Sequence, residues 1–239
     1  MKLLAIETST RHMGVALIDG ERLISSYELL ADYPHAVELP GAVTRVLDAA
    51  GLRLAHVEAL AVDVGPGSFT GLRIGLAFVK ALAFASKRAV IGIPSLDVLA
   101  GAVGFAELPI CPILDARQKN VYAALYRLQA GVLTRQTDLY LGPIDGFLPH
   151  LAQPRIVLGD GAALYRERIL AACAHVEFAP AELWLPRAAT LARLAHQRLQ
   201  QGPGDDPARL LPLYLYPLDC SVRGPDRPTS VLPKAVPTA

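Results

Sequence analysis

Residues 61–97 read AVDVGPGSFTGLRIGLAFVKALAFASKRAVIGIPSLD, and the fold of the whole chain turns on this stretch. The apolar run at 59–64 has the length of a buried strand and ends in Gly65-Pro66-Gly67, a sharp turn. Ser68 then offers a hydroxyl at the N-cap of an apolar segment of helical length, 69–86, and a second short apolar run follows at 90–93. Strand, glycine turn, helix and strand make the crossover unit of a sheet with parallel neighbours. Such a turn is also where a nucleotide's phosphates often sit. A Walker loop, however, needs Gly-Lys followed by Ser or Thr, whereas Gly71 is followed by Leu72 and Arg73. Gly65, Gly67 and Gly71 space as GxGxxxG, one residue off the dinucleotide fingerprint. On residue types alone, the turn reverses the chain and caps a helix.

Within 69–86 only Arg73 and Lys80 are charged. A helix apolar nearly all round has to be covered on more than one side, and its own sheet supplies one cover. Gly71 and Gly75, four residues apart, would let another helix approach closely. Leu39, Val43, Val46 and Leu47 form a stripe on a helix predicted over 36–51, with Pro40 near its first turn and Gly51 as its stop. Any apolar face left over is a partner interface.

Working outward, 3–8 and 14–19 alternate as the strands of a hairpin and 21–29 adds a third, so the first part reads β-β-β-α-β-α-β. The pattern restarts beyond residues 100–108. PICPILDARQKNVYAALYRL (109–128) is again strand, polar turn, strand, and RIVLGDGAALYRERILAA (155–172) is again strand, glycine turn, helix. The expectation is a duplicated α/β protein with lobes at 1–104 and 105–220. The last segment, 221–239, has four prolines and no periodicity and reads as a loosely ordered tail.

Hydrophobic content of 52% with 19% charged residues excludes wholesale disorder, and a net charge of +1 gives no electrostatic drive for autonomous nucleic-acid binding. The opening apolar run is interrupted at Glu7, too early for a signal core or a membrane span. Cys111, Cys173 and Cys220 lack CxxC spacing and suit reduced thiols in the cytoplasm.

Side chains for catalysis are sparse. His12, His35, His56, His150, His175 and His196 form no pair at helical ligand spacing, so no local metal motif is present. Ser9, Ser68 and Ser95 lie outside a GxSxG context. Asp63, Asp97, Asp115 and Asp160 could converge in space, although strand-end acids are routine turn formers.

Three stretches together, LLAIETSTRHMGVALI (3–18), DVGPGSFTGLRIGLAFVKALA (63–83) with VIGIPSLDVLA (90–100), and DARQKNVYAALY (115–126), resemble the TsaB family of bacterial tRNA threonylcarbamoyladenosine biosynthesis proteins. The resemblance covers about residues 1–126, with a weaker agreement at LPLYLYP (211–217). It implies the actin-like ATPase superfamily and its RNase H-like duplicated fold. It also implies a partner role: such proteins bind the catalytic paralogue TsaD, which with the ATPase TsaE transfers threonylcarbamoyl to N6 of adenosine 37 in tRNA. Asn120 departs from the glutamate common in the family.

Where the catalytic paralogue carries a metal-binding HxxxH, this chain has Ser95 and Leu99, and Arg11 replaces an aspartate after the opening strand. Glu7, Thr8, Ser9, Gly65, Pro66, Gly67 and Ser68 are therefore expected to form a degenerate nucleotide-site loop, without catalytic or metal-binding residues. No cofactor is expected to bind tightly, weak nucleotide binding stays open, and ATP is used by the complex. Partner binding is expected through helices near 38–50 and 68–86. Leu39, Val43, Leu47, Gly71, Leu72, Gly75, Leu76 and Val79 would pack, and Arg73 would meet an acidic partner. The isolated chain would form a homodimer through the same patch, tRNA would be met only through the complex, and no membrane is expected. A glycoprotease-like metallopeptidase or an independent ATPase or kinase is the competing reading.

Overall fold

A computed structural model of the chain describes residues 1–30 and 35–216; the Pro-rich segment 221–239 lies outside them. The first lobe is built from strands β1 (Lys2–Glu7), β2 (His12–Asp19), β3 (Arg22–Leu30), β4 (Ala59–Gly65) and β5 (Ala89–Pro94) with helices α1 (His35–Ala49), α2 (Phe69–Ser86) and α3 (Ser95–Gly101). The second has strands β6 (Ile110–Arg117), β7 (Asn120–Ala123), β8 (Tyr126–Gln129), β9 (Val132–Arg135), β10 (Tyr140–Pro143), β11 (Arg155–Leu158) and β12 (Val176–Phe178). Its helices are α4 (Ile144–Phe147), α5 (Asp160–Leu164) and α6 (Arg166–Ala172), and α7 (Ala188–Gln201) is the last helix among the described residues.

The duplication is visible in strand order and polarity. The first sheet runs β3-β2-β1-β4-β5 and the second β10-β7-β6-β11-β12, and in both the pairings go antiparallel, antiparallel, parallel, parallel. The hairpin β8-β9 is an addition hung on β6.

Alternation along the strands divides the first lobe into two cores. Leu4, Ile6, Leu60 and Val62 face α1 and α2, whereas Leu3, Ala5, Ala59 and Ala61 face α3 and α7. The expected boundary between lobes does not hold the chain apart. Leu191, Ala192 and Ala195 of α7 pack on the first sheet, Asp205 bridges Val90, and the Leu213 amide donates to Val64 O at 2.7 Å. Residues 188–213 therefore serve the first lobe although they follow the second. The amphipathic pattern of α7 says that one face is buried but not against which sheet.

α1 begins at His35, one residue before its expected start, and Pro40 sits in the second turn on an exposed face, where it deletes a single backbone bond. It stops near Gly51, whose φ of +64° favours glycine. α2 is long and apolar enough, by length and composition, to cross a bilayer. Its inner face, Leu72, Leu76, Val79 and Ala83, is instead buried in the lobe.

Candidate functional site

Parallel pairing of β1 with β4 in the register Leu3↔Ala59 to Ile6↔Val62 brings Glu7 beside Asp63 at the carboxyl ends of the strands. This is the edge where open α/β sheets bind ligands. Both acids are fully buried. Asp63 Oδ1 accepts from the Ser95 hydroxyl at 2.5 Å and from the Gly65 amide at 2.7 Å, and Glu7 Oε1 accepts from the Ser9 amide at 2.7 Å. Glu7 Oε2 and Asp63 Oδ2 find no other donor. Ionised carboxylates only accept, so neither acid can satisfy the other while both are charged. Burial first, and then the charge of Asp63, hold Glu7 well above the ordinary carboxylate range, and burial also raises Asp63. Of the two, Glu7 is the carboxyl held further toward its protonated form.

The glycine turn closes over the end of β1. The Ser68 amide donates to Ser9 O at 2.6 Å, and Thr8 Oγ1 donates to Gly71 O at 2.9 Å. A Cβ at Gly67, Gly71 or Gly75 would overlap Ser9 O, Thr8 O or Thr8 Oγ1 respectively. Ser68 caps α2 by accepting from the Gly71 amide at 3.2 Å. All seven residues expected in a degenerate nucleotide loop do come together here. They are spent on one another: amides of Ser9, Gly65, Ser68 and Gly71, the type of donor a phosphate would need, already have partners within the chain.

The four strand-end aspartates do not gather at one site: Asp115 and Asp160 meet at the turn of the second lobe, while Asp63 and Asp97 have other partners. Asp97 receives the Tyr126 hydroxyl at 2.6 Å across the lobes, and Asp160 accepts from the Asp115 amide at 2.9 Å. Asp160 sits in the glycine turn of the second lobe, the counterpart of the Gly65–Ser68 turn. No cluster of three metal-ligating side chains occurs among the described residues.

On the helices expected to meet a partner, the side chains named for packing point the other way. Leu39, Leu72 and Val79 are at most 1% exposed, and Val43, Leu47 and Leu76 are also buried in their own lobe. Gly71 and Gly75 admit Thr8, not another helix, because α2 presses its glycine edge onto the end of β1. Arg73 is exposed, yet its guanidinium lies 3.7 Å from the Phe69 ring centroid and its Nε donates to the Tyr214 hydroxyl at 3.0 Å. What remains open on this pair of helices is a different face. It includes Val37 (76% exposed), Phe84 (78%), Phe69, Ala77 and Ala81.

Sequence reasoning gave little weight to LPLYLYP, which supplies two pins. Tyr214 flanks Phe69 and Arg73, and Tyr216 accepts from Asn120 Nδ2 at 3.0 Å while donating to Ala116 O at 3.0 Å. Asn120 thereby fastens the C-terminal segment to the β6–β7 hairpin. The two tyrosines of this segment, two residues apart, carried no weight in the sequence, where LPLYLYP was only a weaker agreement with the family.

A duplicated sheet plan, with the strand-end turn of the first lobe packed on its own backbone, defines a two-lobed α/β protein of actin-like, RNase H-like fold. The family model for TsaD, tRNA N6-adenosine threonylcarbamoyltransferase, matches residues 29–218. The chain is 30% identical over 172 residues to the tRNA threonylcarbamoyladenosine biosynthesis protein TsaB of Bacillus subtilis, covering 71% of this chain and 75% of that one. It is 27% identical over 221 residues to TsaB of Escherichia coli, covering 90% and 94%. The crystal structure of YeaZ from Pseudomonas aeruginosa superposes with a TM-score of 0.77 at 31% identity, over 90% of this chain and 99% of that one. The chain belongs to this threonylcarbamoyltransferase family and, within it, to the TsaB proteins.

Proposed function

We propose that the chain is the non-catalytic subunit of tRNA N6-threonylcarbamoyladenosine synthesis, which binds the catalytic paralogue and holds it in its competent state. The supporting observation is the combination of a glycine turn filled by Thr8 and Ser9 with an exposed apolar face on α1 and α2. The first removes a phosphate cradle, and the second leaves apolar surface that docking would take out of water. In this reading ATP is used by the complex, with TsaE as its ATPase, and tRNA is met through the assembled complex in the cytoplasm. A homodimer formed through the same face is the resting state to look for in the isolated chain.

Co-expression of the chain with the catalytic paralogue from the same genome, followed by co-purification and mass spectrometry of the modified nucleoside, tests this. Wild type is expected to co-purify and support modification, while the chain alone makes no product. Val37→Asp with Phe84→Asp is expected to abolish both with an unchanged melting temperature. Full modification without this chain, or capture unaffected by the double substitution, would remove the proposal.

A further inference from the structure

His12 opens β2 with its side chain buried, only 2% exposed, and both of its ring nitrogens are in polar contact. Nδ1 lies 3.1 Å from Pro186 O, which can only accept, so Nδ1 carries a hydrogen. Nε2 has two neighbours of opposite demand. Glu28 Oε2, from β3, is 2.8 Å away, and Arg187 Nη1, from the segment ahead of α7, is 3.1 Å away. A carboxylate needs a proton on Nε2 and a guanidinium needs a lone pair there, so the ring cannot satisfy both at once.

The surroundings hold this arrangement in place. A Cβ on Gly14 would lie 2.6 Å from Glu28 Oε2, so glycine there lets the carboxylate reach the ring. Glu28 Oε1 accepts from the Ala188 amide at 3.3 Å, in the first turn of α7, where a carboxylate is favoured. Apart from the ring, Oε2 has only the Arg187 guanidinium nearby, at 4.0 Å. Arg187 also donates from Nη2 to Glu182 O at 3.2 Å. Among the described residues, the other elements around the ring bring no charge into contact with it. On β1, Glu7 is engaged by Ser9 and faces Asp63; on α1, His35 Nε2 lies 2.9 Å from Thr10 O; and Arg11, next in the chain, is exposed.

We infer that His12 is a proton-operated latch between the β2–β3 hairpin and the strap that returns the chain from the second lobe to α7. Charged, the ring donates from Nε2 to Glu28 and from Nδ1 to Pro186 O, and Arg187 is left with its bond to Glu182 O. Neutral, the ring keeps the Nδ1 hydrogen and accepts at Nε2 from Arg187, whose charge then faces Glu28. One proton, exchanged with solvent, decides whether Arg187 is held, and histidine is the side chain suited to that exchange in the physiological range. Residues 179–187 lead from β12 to α7, and α7 packs on the first sheet, so the latch sits where the lobes are strapped together. It acts within the chain and does not depend on the partner role proposed above.

Nitrogen-15 NMR of the full chain from about pH 5 to pH 9, reading both ring nitrogens of His12 and the Arg187 Nε–H, tests this. The acid end is expected to show a doubly protonated ring with a mobile Arg187 side chain. The alkaline end is expected to show a neutral ring with its hydrogen on Nδ1 and an ordered Arg187. Glu28→Gln is expected to lower the midpoint of the ring's titration and Arg187→Gln to raise it, each by about one pH unit or more. The wild-type spectra decide the tautomer and the mobility without relying on either variant. A ring that keeps one protonation state throughout, or a neutral form with its hydrogen on Nε2, would overturn the latch. So would an Arg187 signal indifferent to the charge of the ring, or midpoints that move the same way in both variants.

Discussion

Gly75 separates two accounts of α2, and replacing it with alanine gives opposite results in them. Were this glycine on a docking surface, alanine would stabilise the isolated chain by about 1 kcal/mol through helix propensity. In the structure, a Cβ here would overlap Thr8 Oγ1, whose hydroxyl donates to Gly71 O. Relief requires Thr8 to rotate or α2 to lift. Overpacking of this kind costs about 1–3 kcal/mol and the lost hydrogen bond about 1 more, against the propensity gain. The net is about 2 kcal/mol, a fall in melting temperature of roughly 4–8 °C for a chain of this size. Thr8→Ala removes the colliding oxygen, and the next atom met is Thr8 Cβ at 3.4 Å, an ordinary contact. In that background Gly75→Ala is expected to be neutral or stabilising, giving a coupling of about 2 kcal/mol across the four proteins. Thermal unfolding by circular dichroism measures it. A melting temperature that rises on Gly75→Ala in the wild-type background would show that α2 does not press on the end of β1.

Three further outcomes follow from the same geometry. A folded-state pKa raised above the ordinary 4.5 means that Glu7 keeps its proton where the unfolded chain has lost it, so its contribution to stability is full below pH 4.5 and declines as pH rises toward the folded value. Glu7→Gln removes the titrating group and with it this decline, so its melting temperature should gain on wild type as pH rises above 5; a constant difference from pH 5 to pH 8 refutes the raised pKa of Glu7. Tyr216→Phe deletes the hydroxyl between Asn120 and Ala116 O and should cost about 1–2 kcal/mol in urea unfolding, and Asn120→Ala should add little to it, whereas full additivity would show that the two do not act together. Asp97→Asn weakens the acceptor of the Tyr126 hydroxyl across the lobes and is expected to lower stability by about 1 kcal/mol without altering capture of the catalytic paralogue, and impaired capture at unchanged stability would contradict its placement.

The stretch 61–97 fixed a good deal unaided. Its apolar runs and turn residues placed β4, α2 and β5 within a residue or two, because strand length, a Ser N-cap and a Gly-Pro-Gly break are local properties. The repeat of strand, glycine turn and helix at 155–172 announced the second lobe, and the two turns do occupy equivalent places against β1 and β6. The missing histidines at Ser95 and Leu99 and the failed Walker spacing were legible as residue types.

Which way each side chain points was not legible. Periodicity identifies a stripe on α1 or α2 but not whether sheet or solvent faces it, so Leu39, Val43 and Leu72 were read as docking residues when they are core. A glycine pair four apart signals close approach without naming what approaches, and here it is Thr8 from 63 residues upstream. The acid pair, the stacked Arg73 and the return of α7 to the first sheet all depend on pairings between distant segments. Local sequence determined the elements; only chain-wide packing decided which surfaces were left over, because burial is set by what a side chain meets across the fold and not by its neighbours in sequence.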